Sequence, residues 1–186
     1  MTELTPTGRV ILGMIGLGKR TGYDIKALVD RSVRFFWAAS YGQIYPELKR
    51  LEEDGLVRRV GEPAGGRRRT EYELTPAGEE ALREWLASGA PLTFEYRDEG
   101  ALKFFFSGAV GPEEALANLR AMRGYHEDVV AGLRELEPSV RERAEETSGP
   151  YFPYLTLCWG IELHEWLAGW CERTEKLVAE QAERRP

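Results

Sequence analysis

Arg67, Arg68 and Arg69 follow directly on Gly65-Gly66. Three adjacent guanidiniums repel one another until solvent or a polyanion neutralises them, and their fork of fixed donors matches phosphate oxygens. A second polar group lies upstream, at Ser40, Tyr41, Gln43, Tyr45, Lys49 and Arg50. There, lysine and arginine can neutralise phosphates, hydroxyls can hydrogen-bond them, and the Gln43 amide can pair with a base edge such as that of adenine. Each side chain also has a plainer role open to it. Gln43 can complete a helix cap with Ser40, Tyr41 and Tyr45 can be half-buried core aromatics, Lys49 and Arg50 can solvate a helix, and the arginines can decorate a loop. Catalysis is not indicated: no carboxylates pair on a shared face, no nucleophile stands beside a base, and no glycine loop is built to cradle phosphate. No cofactor is expected either. Cys158, His164 and Cys171 are separated by six and then seven residues, so a helix does not carry all three on one face and no zinc motif results.

These groups need elements to hold them. Val10, Ile11, Met14, Ile15 and Leu17 paint one side of a helix over Arg9 to Leu17. Thr21 with Asp24 three residues on reads as the cap of a second helix reaching about Phe35. Ser40 and Gln43 form a capping box for a third, whose inner stripe is Ile44, Leu48 and Leu51; Gln43, Pro46, Lys49 and Arg50 then face outward, with Tyr45 on the flank. Pro46 leaves the start of regular helix open, near Tyr45 at the latest. Asp54-Gly55 ends that helix, and Leu56 to Val60 and Thr70 to Leu74 read as two strands of a hairpin tipped by the glycines and arginines. Thr75-Pro76 starts a fourth helix with Ala77, Ala81, Leu82, Trp85 and Leu86 as its stripe. Helices, basic hairpin and return helix come in the order of a winged helix-turn-helix, in which the second helix of the motif enters the major groove of DNA.

The 186 residues suit one small domain plus a helical appendage, divided here into 1–90 and 91–186. The fold class expected is mainly α with a small β-hairpin: a winged helix-turn-helix domain plus a C-terminal helical dimerisation domain. Net charge is −6, yet residues 1–70 hold 13 Lys and Arg against 8 Asp and Glu, and the remainder 12 against 23. The basic charge thus sits where DNA would be met. After Pro112, apolar positions at Ala115, Leu119, Met122, His126, Val129, Leu133 and Leu136 alternate four and three, a heptad seam that Glu137-Pro138 should end. A last helix from Tyr154 carries Leu155, Trp159, Leu163, Trp166, Trp170 and Leu177. Helix exchange between two subunits would bury these faces, giving an interface of Leu119, Met122, His126, Val129, Leu133, Trp159, Trp166 and Trp170; an internal helical hairpin is the alternative. His126 is read as fixing helix register rather than switching with pH. Trp37, Phe94, Phe105 and Trp159 are candidates to line a pocket for an aromatic or hydrophobic small molecule, core packing being their other use. Two cysteines give no disulfide framework, and no apolar run approaches a membrane span, so a reducing cytoplasm is the expected location and no membrane partner is implied.

The order Val10, Gly13, Gly22-Tyr23-Asp24, Gly42-Gln43-Ile44-Tyr45-Pro46-Glu47-Leu48, Leu51-Glu52-Glu53-Asp54-Gly55-Leu56 and Tyr72-Glu73-Leu74-Thr75 closely resembles the PadR family of transcription regulators. The resemblance covers roughly the first half, and the long remainder is similar to the family's branch with several C-terminal helices. It implies a homodimeric repressor that grips double-stranded operator DNA with recognition helix and wing and is released by a small-molecule effector. A winged-helix module that binds a protein partner and no DNA is the alternative, since fold does not fix function.

Overall fold

A threonine opens three of the helices in the first half of the computed structural model, which describes residues 4–33, 36–37, 42, 44–60, 70–92 and 97–184. The chain divides into two compact units, Met1–Leu92 and Thr93–Pro186. In the first, α1 spans Pro6–Gly16, α2 Gly22–Ser32 and α3 Ile44–Glu53; strands β1 (Val57–Val60) and β2 (Glu71–Leu74) follow, then α4 (Pro76–Ala87). Thr5 accepts from the Gly8 N–H at 3.0 Å, Thr21 from Asp24 at 3.0 Å and Thr75 from Gly78 at 3.1 Å, each satisfying an amide with no partner inside its own helix. Proline follows the cap in α1 and α4, where its fixed φ suits the first turn. Pro46 falls in the first turn of α3, where a missing N–H removes no helical hydrogen bond, so the helix runs from Ile44 without a break. The second helix ends at Ser32, three residues short of the expected Phe35.

Ile44, Leu48 and Leu51 of α3 are buried with Ile11, Leu12 and Ile15 of α1, Ile25 and Val29 of α2, Val57 and Tyr72 of the hairpin. The strands pair antiparallel, Val57 opposite Leu74 and Arg59 opposite Tyr72. The sheet reaches α2 as well, through a bridge between Thr21 and Glu71 and a hydrogen bond from the Tyr72 N–H to the Arg20 carbonyl at 2.8 Å. Gly55, at φ 72°, takes the left-handed conformation that ends α3, and the Leu56 N–H donates back to the Leu51 carbonyl at 2.9 Å. Of the stripe expected on α4, Ala81 and Leu82 pack on the core, while Ala77, Trp85 and Leu86 are exposed.

The second unit contains α5 (Glu99–Phe105), a short 3₁₀ turn at Ser107–Ala109, and the long helices α6 (Pro112–Glu145) and α7 (Phe152–Glu183). α6 continues through Pro138 instead of ending there. Glu137 pairs with both Arg134 and Arg141 across the proline, and Arg134 also reaches Glu165 of α7 at 2.6 Å, so side-chain ties hold the turn from which one backbone bond is missing. The heptad seam is closed within one chain. Leu119, Met122, His126 and Leu133 of α6 are buried and Val129 is half-buried, in a unit where α6 and α7 lie against each other. These five residues therefore form the core of an internal hairpin, not a surface left open for a second subunit. The buried face of α7 is also not the expected one: it consists of Leu157, Gly160, Ile161, His164 and Cys171, because small and aliphatic residues let two helices approach closely. Trp159 and Trp166 point outward, and half-buried Trp170 meets Phe104 edge-on at 5.9 Å.

Two predictions come from this packing. A Cβ on Gly78 would lie 1.9 Å from the Leu56 carbonyl oxygen, backbone that cannot yield, so Gly78→Ala should destabilise the first unit by about 2 kcal/mol or more in denaturant titration. The imidazoles of His126 and His164 meet with their Nδ1 atoms 2.9 Å apart. Burial lowers the pKa of both; the Asp98 charge opposes this at His126, while His126 adds to it at His164. With the folded values below the unfolded one of about 6.5, the unfolded chain takes up protons first, so this contribution to stability is present above that pH and lost as pH falls through it. Thermal melts followed by tryptophan emission should drop by several degrees between about pH 7.5 and about pH 5.5. His164→Gln should flatten that dependence; an equal slope in the variant would clear the pair of responsibility.

Candidate nucleic-acid interface

Burial of the Ile44, Leu48 and Leu51 stripe leaves Tyr45 and Lys49 on the outer side of α3, 62% and 72% exposed. Among the described residues Lys49 pairs with Glu53 at 3.5 Å, one turn along, a contact of little energy at the surface. The Tyr45 ring lies over the first residue of α2: a Cβ on Gly22 would come within 2.7 Å of its Cε1. Tyr45 thereby joins Thr21, Gly22, Tyr23, Thr70 and Tyr72 around a shallow cleft where α3, the start of α2 and the returning arm of the hairpin converge. Thr70 and three tyrosines bring hydroxyls to its lining, groups suited to phosphate oxygens, whereas the Thr21 hydroxyl is spent on Asp24 at 2.7 Å.

Arg50 is placed differently from its expected outward position. Its Nε and Nη2 donate to Glu47 at 3.1 and 2.6 Å, and Nη1 approaches Asp54 at 3.6 Å. Its side chain is 33% exposed and that of Glu47 only 12%. Burial works to raise the pKa of Glu47, but hydrogen bonds from Arg50 and the Thr5 hydroxyl, with the Arg50 charge, outweigh it and hold the carboxylate ionised below its ordinary range. The guanidinium is thus engaged inside the unit.

Two arginines that the motif reading passed over stand on β1. Arg58 pairs across the ladder with Glu73, and Arg59 bonds Glu52 at the end of α3 at 2.9 Å while facing Tyr72. The Glu52 charge, then Tyr72, raises the Arg59 pKa. Both are largely exposed, on the strand that precedes Arg67 to Arg69 in the sequence. Their signal was available in Val57-Arg58-Arg59-Val60, a strand with charge between its apolar ends. Ser40, Tyr41, Gln43 and Arg67 to Arg69 lie outside the described residues, as does Phe94. Of the other pocket candidates, Trp37 is half-buried in the first unit; in the second, Phe105 is 80% exposed and meets Phe106 edge-on at 5.0 Å, and Trp159 is exposed on α7. Among the described residues no three His, Cys, Asp or Glu side chains cluster to hold a metal, and no helix is long and apolar enough to cross a membrane.

Gly22→Ala provides a contrast with Gly78. The added methyl meets the far end of an exposed ring that can swing aside, so the expected loss of stability is under about 1 kcal/mol. A loss as large as that of Gly78→Ala would mean that Tyr45 is locked in place.

Comparison with known proteins places this geometry in context. Residues 11–84 match the Transcriptional regulator PadR-like family, and residues 96–179 match the Virulence activator alpha C-term family. The chain is 28% identical over 174 residues to the negative transcriptional regulator PadR of Bacillus subtilis, covering 87% of this chain and 91% of that protein. A crystal structure of Bacillus subtilis PadR in complex with operator DNA is similar at a TM-score of 0.74 and 27% identity, over 91% of this chain and 97% of that one. Another, in complex with p-coumaric acid, is similar at a TM-score of 0.69 and 28% identity, over 92% and 97%.

Proposed function

We propose that this chain, which belongs to the PadR-like family of transcriptional regulators, is a cytoplasmic homodimeric repressor that binds double-stranded operator DNA and is released by an aromatic or hydrophobic small molecule. One observation carries the DNA-binding part: the exposed Tyr45 of α3 meets the start of α2 and the returning arm of the hairpin at one cleft, with Lys49 exposed one turn along α3 and Arg58 and Arg59 exposed on β1, in a chain similar over 91% of its length to a regulator solved on its operator. In this reading α3 enters the major groove. Lys49, Arg58 and Arg59 neutralise backbone phosphates, with Ser40, Tyr41, Gln43 and the arginines at 67–69 joining them on the strength of their place in the sequence. The p-coumaric acid complex of the Bacillus protein supports the small-molecule part, and the outward Trp159 and Trp166 of α7 support a second copy as partner. Two copies related by a two-fold axis would meet half-sites about one helical turn of DNA apart.

The test is fluorescence anisotropy with the duplex upstream of the protein's own coding region and with a scrambled duplex, across a salt series, with molecular mass measured by light scattering. The expected result is a dimer that prefers its own upstream duplex, with a salt slope of several released counterions that Lys49→Ala lowers by about 0.9. Failure to bind either duplex at low salt would discard DNA recognition and favour a protein-binding module. A monomeric mass would discard the two-fold arrangement.

A further inference from the structure

Four groups on α1 and α3 form one closed set. The Thr5 hydroxyl oxygen accepts the Gly8 N–H, capping α1, while its proton goes to Glu47 Oε1. The Glu47 carboxylate in turn receives two N–H bonds from Arg50, whose remaining terminal nitrogen reaches Asp54 in the last turn leading out of α3. Gly8 belongs to the set by what it lacks, since a Cβ there would stand 2.7 Å from Glu47 Oε1. The carboxylate therefore rests against the bare backbone of the first turn of α1, nearly buried, with a hydroxyl on one side and a guanidinium on the other.

Apolar packing alone leaves a helix some freedom to roll and slide on its neighbour, because dispersion contacts have little directional preference. Hydrogen bonds to a buried carboxylate are directional, and a two-pronged arginine bond adds a fixed plane. We propose that Glu47 and Arg50 are positioning residues of the DNA interface, setting the roll of α3 against α1 so that Tyr45 and Lys49 meet the DNA, and that Arg50 does not itself neutralise a phosphate. The assignment rests on the DNA-binding reading above and adds to it the residues that aim the helix.

Charge makes the two roles separable. Removing Glu47 takes a negative charge away from the DNA-facing unit, which by electrostatics alone tightens binding to any duplex. Removing Arg50 takes away a positive charge and by the same logic loosens it. A positioning pair acts in one direction whichever member is lost. The full-length protein is titrated with its own upstream duplex and a scrambled one, unsubstituted and as Glu47→Ala, Glu47→Gln, Arg50→Ala and Arg50→Lys, with the active fraction counted at saturation.

Glu47→Ala and Arg50→Ala should each weaken binding to the upstream duplex about tenfold while changing the scrambled duplex far less, because misaimed helices lose base contacts before general attraction. Glu47→Gln, whose amide oxygen still accepts hydrogen bonds, should recover most of the loss. Arg50→Lys, which keeps the charge but not the planar fork, should not. The salt slope should stay at the unsubstituted value in Arg50→Ala. A merely destabilised protein would show a lower active fraction with the ratio between duplexes intact, and that result overturns the proposal. So does tighter binding of both duplexes by Glu47→Ala, or a slope lower by about 0.9 in Arg50→Ala. If the unsubstituted protein prefers no duplex, the DNA-binding reading itself falls and takes this role with it. If an alanine variant does not fold, Glu47→Gln against Arg50→Lys decides: equal affinities overturn the proposal.

Discussion

The orientation of one ten-residue helix governs the first unit. α3 has a single apolar stripe, and burying Ile44, Leu48 and Leu51 against Ile11, Leu12 and Ile15 removes from water side chains worth roughly 1.5–3 kcal/mol each. No other face of α3 could be buried at comparable gain, so this packing decides which side chains are left outside. At about 100° per residue, Tyr45 and Lys49 fall on one flank of the stripe and Glu47 and Arg50 on the other. Facing solvent, the first pair stays available. The second pair turns into the crevice beside α1, where a carboxylate and a guanidinium satisfy each other.

The hairpin inherits its position from the same helix. Gly55 reverses the chain after α3, and Thr75 closes the loop by donating its hydroxyl proton to the Gly55 carbonyl at 2.6 Å while capping α4. Arg59 ties β1 to Glu52, and Tyr72 ties β2 to Arg20 ahead of α2. Helix, strand pair and return helix are thereby joined at three points through hydrogen bonds of ordinary length. The second unit is built by other means: two long helices share a core of Leu119, Leu133, Leu157, Ile161 and a buried histidine pair, with Arg134–Glu165 and Arg123–Glu175 bridging their flanks.

Much of this was legible in the sequence because its signals are local. The Thr21 cap, the Thr75-Pro76 pair, the glycine after α3 and the turn residues of the hairpin each depend on a few neighbouring residues, and the elements of the first unit lie within a few residues of their expected bounds. The seven residues of α5 are too few to show a periodicity, which is why that helix went unread. Pro138 reads as a stop in the sequence because a proline rule weighs one lost bond and not the ion pairs around it. The heptad seam of α6 was read correctly as a buried face, but its spacing is the same whether the partner helix belongs to the same chain or to another. Arg50 shows the remaining gap. A count of basic residues on a helix registers its charge, but only the fold reveals that Glu47 and Asp54 have already claimed it.

The rigidity of the first unit bears on how a dimeric regulator of the proposed kind would be controlled. With α3 fixed to α1 through Glu47 and Thr5, and the hairpin fixed to α3 through Arg59, bending the recognition helix relative to the strands would break several directional bonds at once. Each bond lost from the nearly buried Glu47 costs on the order of 1–3 kcal/mol; even with little from the exposed Arg59–Glu52 pair, the sum exceeds the coupling of about 1–3 kcal/mol by which an effector ordinarily shifts a binding equilibrium. Changing the separation or tilt of two whole units breaks none of them. Half-site spacing on DNA is fixed by the helical repeat, so a small change in separation misaligns one unit while the other is bound. In a dimer of the proposed kind, control of DNA binding would therefore belong to whatever joins the two copies, and the first unit itself would stay as it was folded.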